Sequence, residues 1–282
     1  MTNCELYKKV VSILESSDCD SPSFDAGCLF FHITGIQRGM LPFEGSKTAP
    51  PEMCSKLLDS ARQRAEGRPL QYILGTWDFL SLTLEVGEGV LIPRADTELL
   101  CETAADRLSG IDRPKVLDLC AGSGCVGLGL ASLCPDADVT AVELSDEALY
   151  YLERNCARYP KLHVTPVKAN VLLDADGFQE CYDAILSNPP YIPADEIPSL
   201  MQEVQHEPVM ALDGGDGLVF YRAIIRSWLP KLVSGGICAV EVGMGQAKDV
   251  AAMFSKAGLI NIEMFRDLGG IERVVIGETV NQ

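Results

Sequence analysis

The sequence predicts an α/β fold: a mostly parallel, seven-stranded sheet with helices on both faces, closed by an antiparallel hairpin. A small helical module precedes it, joined through a β-hairpin. Three observations predict this. From Lys115 onward, short apolar runs alternate with helical segments, the pattern of a parallel sheet covered on both sides. Gly122, Gly124 and Gly127 follow the first of these runs in a G-x-G-x-x-G spacing, which allows a tight turn and brings backbone N–H groups close to a ligand. Residues 1–75, by contrast, carry apolar side chains at helical spacing.

In the helical module, Leu6, Val10, Val11 and Leu14 mark a first helix. Ser21-Pro22 opens a second, with Phe24, Cys28, Leu29 and Phe31 as its expected core. Pro51 suits the first turn of a third helix, which sets Met53, Leu57, Leu58 and Ala61 on one side and ends near Gly67. Gly, Pro, Ser and Lys crowd residues 41–51, so a loop is expected there. No chemical motif falls in residues 1–75, which suits a docking or covering role. The period then changes. Over residues 76–92, Phe79, Leu80, Leu82, Leu84 and Val86 precede Gly87-Glu88-Gly89, and Val90, Leu91 and Ile92 follow it. This predicts a linking β-hairpin with a glycine turn. The polar stretch Pro93–Glu98 leads into a helix from near Asp96, at a junction that suits a lid.

Residues 93–282 form the third division. Val116–Leu119 is its first strand, and the glycine loop and a helix to about Cys134 follow. The second strand, Val139–Val142, ends at Glu143, placed to accept hydrogen bonds from ribose hydroxyls. Ser145 is the expected N-cap of the next helix. Leu162–Val167 is a third strand and Tyr182–Leu186 a fourth. A helix is expected over 220–232, a fifth strand over 236–242, and a closing hairpin from 261–265 and 273–276.

Bulk properties narrow the function. The chain has 282 residues, 47% of them hydrophobic, and a formal net charge of −17. Extended contact with nucleic-acid backbone needs clustered Lys and Arg, so that class is disfavoured. Eleven cysteines without a Cys-x-x-Cys, several in apolar segments (Cys120, Cys181, Cys238), read as reduced thiols. The three histidines are widely spaced and no zinc pattern appears. No signal peptide or membrane-length apolar run is seen. The expectation is a cytoplasmic monomer that meets no membrane.

The most informative stretch is Ser187-Asn188-Pro189-Pro190-Tyr191. Two prolines stop the fourth strand and restrict the residue before them. Asn188 is thereby held stiffly past a strand's carboxyl end, where open α/β sheets bind ligands. Its amide and the Pro189 carbonyl can grip a planar NH2 group, with the Tyr191 ring packing on that group's flat face. The glycine spacing and Glu143 alone would also fit a nicotinamide dehydrogenase. Asp118, however, precedes the glycines in the acidic-x-x-x-Gly-x-Gly pattern of S-adenosylmethionine enzymes. No histidine, lysine or tyrosine–lysine pair near Asn188 could handle a hydride acceptor's proton. Methyl transfer needs chiefly an aligned nucleophile, and positioning supplies roughly 7–11 kcal/mol.

The Asn188–Tyr191 turn with the glycine loop resembles class I S-adenosylmethionine methyltransferases that act on planar amide or exocyclic amino nitrogens. Over nearly its whole length the chain resembles the release-factor glutamine N5-methyltransferases, the PrmC/HemK family. The matching stretches are Gln71–Gly75, Leu91–Glu98, the glycine loop, Val142–Ser145, the Asn-Pro-Pro-Tyr turn, Glu207-Pro208 with Ala211–Leu218, and Glu241 with Gln246. The resemblance implies a class I methyltransferase fold and S-adenosylmethionine as cofactor, with S-adenosylhomocysteine as product. It implies as substrate the glutamine of the Gly-Gly-Gln motif of peptide chain release factors.

The cofactor would be held by Asp118, by Ala121, Gly122, Ser123, Gly124 and Cys125 at its methionine end, by Glu143 at the ribose, by Asn170 and Val171 at the adenine, and by Asn188. Asn188, Pro189, Pro190 and Tyr191 would form the catalytic and substrate-binding turn. The chain departs from the family at Asn170, where an acidic residue is common, at Val171, where a large or aromatic one is, and at Ala95, where proline is frequent. The same turn would also suit adenine or guanine amino groups, but the −17 charge and the scatter of Lys8, Lys9, Arg38, Lys47 and Lys56 oppose a nucleic-acid substrate. A non-catalytic cofactor-binding adaptor is opposed by the intact Asn188, Pro189 and Tyr191.

Overall fold

A computed structural model describes residues 1–281. The chain forms two compact units: Met1–Thr76 with Met201–His206, and Trp77–Leu200 with the chain from Glu207 onward.

In the first unit, helix α1 (Asn3–Glu15) starts at a reciprocal capping box between Thr2 and Glu5 and buries Leu6, Val10 and Leu14. Helix α2 (Pro22–Thr34) ends at Gly35, whose φ of 70° closes it in the left-handed region. The expected loop holds a single helical turn, α3 (Leu41–Glu44). Helices α4 (Pro51–Ala65) and α5 (Leu70–Leu74) complete the unit. The buried face of α2 differs from the expected one: Asp25, Ala26, Leu29 and Phe30 point inward, while Phe24 and Phe31 are 58% and 49% exposed. An ion pair accounts for the rotation. Asp25 Oδ2 accepts from Arg64 Nε at 2.6 Å, and the same guanidinium bonds Glu203. Arg64 is therefore buried on α4 beside Leu57 and Ala61.

The second unit begins one residue into β1 (Thr76–Phe79), which forms a two-stranded sheet with β2 (Leu82–Glu85). Its turn is at Leu80 and Ser81, with Leu80 at φ 50°, and not at Gly87–Gly89; residues 90–92 form no strand. The elements that follow are α6 (Glu98–Leu108), β3 (Lys115–Leu119), α7 (Cys125–Leu133), β4 (Asp138–Glu143), α8 (Asp146–Arg158), β5 (His163–Lys168), β6 (Tyr182–Ser187), α9 (Val209–Leu212), α10 (Val219–Ala223), β7 (Leu232–Glu241), α11 (Ala247–Lys256), β8 (Ile260–Arg266) and β9 (Glu272–Glu278). The displaced glycines have another use. A Cβ on Gly87 would lie 2.2 Å from the Tyr151 hydroxyl, and one on Gly89 would lie 2.6 Å from Glu147 Cβ. They let the chain run against α8, where Val86 and Val90 pack on Ala148.

The main sheet has seven strands in the order β5-β4-β3-β6-β7-β9-β8. The first five are parallel, and β9 is antiparallel to both neighbours. One face buries Phe79, Leu84, Leu100, Leu128 and Leu152; the other buries Tyr221, Trp228, Val250 and Phe254. The expected helix over 220–232 is α10 followed by a π-turn, Ile224–Trp228, and a 3-10 turn, Leu229–Lys231. Pro230, which has no N–H to donate, falls in that last turn. Cys238 is buried as expected, whereas Cys181 is exposed just before β6. Among the described residues no helix is long and apolar enough to cross a membrane.

The buried pair yields a prediction. Arg64→Met strands Asp25, whose side chain is only 7% exposed. Urea unfolding of this variant should show a loss of about 3–5 kcal/mol. Unchanged stability would mean that the pair does not hold α2 to α4.

Candidate active site

The strand order reverses at β3: β4 lies on one side and β6 on the other. Chain leaving the carboxyl ends of β3 and β6 diverges to opposite faces, and a crevice opens between them. A cavity of about 380 Å³ lies there, and residues from six loops line it.

The β3–α7 loop forms its floor. Cys120, Gly122 and Gly124 have φ of 62°, 57° and 84°. A Cβ on Gly124 would come within 2.6 Å of Leu152 Cδ1, whereas one on Gly122 would meet nothing within 4 Å. Both glycines are called for by their left-handed backbone, and at Gly124 a side chain would in addition crowd Leu152. Asp118 stands behind the loop. It is fully buried, its Oδ2 accepts from Gly127 N at 2.8 Å, and its Oδ1 has no hydrogen-bond partner. Burial raises its carboxyl to about 7, opposed by the Gly127 bond. Asp118 does not line the cavity; through its bond to Gly127 it holds the glycine loop from behind. Gly124 likewise faces α8 and not the cavity.

Glu143, at the end of β4, accepts three backbone N–H groups. Gly122 N reaches Oε2 at 2.8 Å, and Leu144 N and Ser145 N reach Oε1 at 2.7 and 2.8 Å. An ionised carboxylate offers about four acceptor positions, so Oε2 retains one for a ligand hydroxyl. After β5, Asn170 Oδ1 accepts from Leu172 N at 2.9 Å. The Val171 carbonyl takes the indole N–H of buried Trp228 at 2.8 Å. These bonds tie the loop to the core.

The turn after β6 forms the opposite wall. Asn188 and Pro190 line the cavity; Pro189 is buried and does not. Tyr191 departs from expectation. Its hydroxyl donates to Glu241 Oε1 at 3.3 Å and its ring lies against Gly243. It therefore braces the turn from behind and does not present a ring face to the cavity. Burial, with Glu241 alongside, pushes its phenol well up. Gln246 clamps the same turn: Nε2 donates to the Tyr191 carbonyl at 2.9 Å and to the Gly217 carbonyl at 3.2 Å. Gly214 approaches so closely that a Cβ there would lie 2.8 Å from Tyr191 Cα. At the cavity mouth, Glu207 is 4% exposed; it accepts from Ile92 N at 2.9 Å and bonds the Arg94 guanidinium.

Ala121, Gly122, Ser123, Cys125, Glu143, Asn170, Val171, Asn188 and Pro190 thus share one cavity. Two further residues carry the geometry. Asn188 Nδ2 donates to Thr97 Oγ1 at 3.1 Å, and Thr97 Oγ1 donates to Glu241 Oε2 at 2.5 Å. Sequence reasoning gave Thr97, Glu241 and Gln246 no individual role. The available signal was a carboxylate closing an otherwise apolar strand, Ile237–Val240.

A seven-stranded sheet with one antiparallel closing strand pair, a glycine cradle at the switch point and an Asn-Pro-Pro-Tyr wall defines a methyltransferase of the Rossmann-like class. Two family models match: the PrmC N-terminal domain over residues 5–75, and the methyltransferase small domain over residues 95–220. The hMettl16 catalytic domain, solved in complex with a MAT2A 3'UTR hairpin, superposes with a TM-score of 0.58 at 15% identity, covering 83% of this chain and 84% of that one. The release factor glutamine methyltransferase of Geobacter sulfurreducens is 41% identical over 245 residues, 86% of this chain and 84% of its own. That of Fusobacterium nucleatum is 34% identical over 281 residues, 98% of this chain and 78% of its own. The chain belongs to the release factor glutamine methyltransferase family.

The buried Asp118 makes stability depend on pH. Its folded pKa, about 7, lies above the ordinary aspartate value of 3.8, so between these values the folded state binds more protons than the unfolded one. Stability contributed here therefore falls as pH rises from about 4 to 7. Relative to Asp118→Asn, the wild type should lose up to about 4 kcal/mol between pH 4 and pH 8, measured by urea unfolding. A pH-independent difference would show that the carboxyl ionises normally in its buried position.

Proposed function

We propose that this chain transfers a methyl group from S-adenosylmethionine to the side-chain amide nitrogen, N5, of the glutamine in the Gly-Gly-Gln motif of peptide chain release factors. The observation that carries this reading is the Asn188 turn: a stiff amide wall facing a glycine cradle across one cavity. The residues present fit the cofactor. The cradle at Gly122 is open where a side chain would stand, Glu143 keeps one acceptor position, and Val142 and Leu172 give the cavity an apolar wall. When bound, the cofactor supplies an electrophilic methyl group on a sulfonium.

Ala121–Cys125 would hold its methionine end, Glu143 a ribose hydroxyl, and the Asn170–Val171 segment the adenine. Asn188 Oδ1 would accept one hydrogen of the substrate NH2, and the carbonyl of Pro189, the buried residue between the two that line the cavity, would accept the other. An amide nitrogen is a poor nucleophile because its lone pair is delocalised into the carbonyl. Two acceptors on its hydrogens aim that lone pair and favour the positive charge that develops on nitrogen. Tyr191 and Gln246 hold the turn that carries both acceptors.

The direct test follows labelled methyl transfer to purified release factor, with the Gly-Gly-Gln glutamine intact in one sample and replaced by alanine in the other. Label in the intact protein alone is expected; no label in either would redirect the search to nucleic-acid amino groups. Asn188→Ala should lower turnover by about 100-fold or more, the scale of losing one transition-state hydrogen-bonding group. Near-normal turnover would remove the gripping role.

The helical unit is proposed to dock the protein substrate. Phe24 and Phe31 stand seven positions apart on α2, one face of a helix, and both are exposed. Phe24→Glu with Phe31→Glu should raise the KM for intact release factor about fivefold or more, the effect of losing roughly 1 kcal/mol of anchoring. Affinity for S-adenosylmethionine should hold. An unchanged KM would take this face out of docking.

A further inference from the structure

We propose that Thr97 and Glu241 form a hydrogen-bond relay that decides which end of the Asn188 amide faces the cavity, making Glu241 a positioning residue for the transfer. The inference rests on the reading that Asn188 Oδ1 receives the substrate amide.

A threonine hydroxyl has one proton. Here it goes to the Glu241 carboxylate at 2.5 Å. Thr97 Oγ1 can then only accept from its other neighbour, Asn188, 3.1 Å away. An acceptor at that point attracts the NH2 end of the Asn188 amide and turns Oδ1 away from it, toward the cavity that Asn188 lines. The other Glu241 oxygen takes the Tyr191 hydroxyl at 3.3 Å, so one carboxylate orients both ends of the four-residue turn. The Tyr221 hydroxyl, bonded to the Glu241 carbonyl at 3.0 Å, fixes the residue's backbone.

The relay has a second state. A protonated Glu241 donates to Thr97 Oγ1, and the Thr97 proton then points at Asn188. The Asn188 amide answers with Oδ1, and its NH2 swings to the cavity. A substrate NH2 there would meet a donor with a donor. The charge on Glu241 therefore decides whether the site accepts or repels an amide nitrogen.

The groups around Glu241 set that charge. Thr97 and Tyr191 donate to it, and Arg273 of β9 and Asp96 act on it with opposite signs. The Arg273 guanidinium is bonded to Asp267 at 3.1 Å and to Asp96 at 3.3 Å. The thiols of Cys101 on α6 and Cys125 on α7, both raised, also feel its charge. Burial dominates, since Glu241 is 2% exposed, and raises its carboxyl to about 7, while Thr97, Tyr191 and Arg273 pull it down. The switch between the two states thus falls in the neutral range.

The test measures kcat and KM for intact release factor from pH 5.5 to 9, with S-adenosylmethionine affinity by calorimetry for each variant. Wild-type kcat should rise with pH through about 7 and then level off. Thr97→Val keeps the shape and removes the hydroxyl; kcat should fall roughly 10- to 100-fold, with KM and cofactor affinity changed far less. Thr97→Ser should recover most of that loss. Glu241→Gln cannot ionise and should lose the acid limb. If Thr97→Val and Thr97→Ser are equally impaired, packing explains the loss and the relay is overturned. Retention of the acid limb in Glu241→Gln would overturn the part given to Glu241. If Asn188→Ala is impaired but Thr97→Val matches wild type, the relay alone fails. A fully active Asn188→Ala would sink the gripping role and the relay together.

Discussion

The architecture of the catalytic unit depends on one constraint: two parallel strands, β3 and β6, lie side by side while their following chains leave in opposite directions. Backbone pairing holds Leu119 beside Ser187, and the Ser187 hydroxyl ties the two strands further by donating to the Leu119 carbonyl at 2.6 Å. Past that point the glycine loop must turn one way and the double proline the other. The crevice between them is a consequence of strand order. Its walls are rigid because one is made of left-handed backbone packed on α8 and the other of proline rings.

Buried carboxylates solve three different problems around this crevice. Glu143 satisfies three backbone N–H groups that would otherwise be stranded at the ends of β3 and β4. Asp118 makes a single bond, to Gly127, and leaves one oxygen unpaired. A charge held that way is costly, which is why its proton affinity rises. Glu241 sits between these extremes, with two hydroxyl donors and a nearby guanidinium committed to other partners. Among the three, only Glu241 reaches the Asn188 wall. The chain's large negative charge is therefore not spread evenly in function: most of it is surface, and a few buried carboxylates shape the site.

Features encoded locally were legible in the sequence. The strand-to-loop transitions at Gly122–Gly124 and Asn188–Pro190 follow from single-residue conformational rules, and the parallel part of the sheet follows from the alternation of strands and helices, whereas the order of the strands does not. Contacts between distant residues were not. Asp25 looks like an error in an apolar helix face until Arg64 is placed 39 positions away. The glycines at 87 and 89 look like a hairpin turn until α8 is packed against them. Tyr191 looks like a ring for the ligand until Glu241 claims its hydroxyl. Thr97 and Glu241 lie 144 positions apart, and neither has a partner of interest within its own segment. Sequence proximity reveals backbone shape, and only the fold reveals which polar side chains complete each other.

The chemistry explains why the site has this form. A side-chain amide is neutral and its nitrogen weakly nucleophilic, so removing a proton before attack would require a very strong base. No histidine or lysine lines the cavity. What a protein can offer instead is geometry: two acceptors at fixed positions that hold the NH2 plane and leave the lone-pair direction free. Geometry of this kind is only as good as the orientation of each acceptor. Asparagine is a precarious choice, because its amide presents nearly the same shape with acceptor and donor exchanged. Something must break that degeneracy. A neighbouring hydroxyl cannot do so alone, since it can donate or accept. A hydroxyl whose proton is already committed to a buried carboxylate can, and the Thr97–Glu241 pair supplies that commitment.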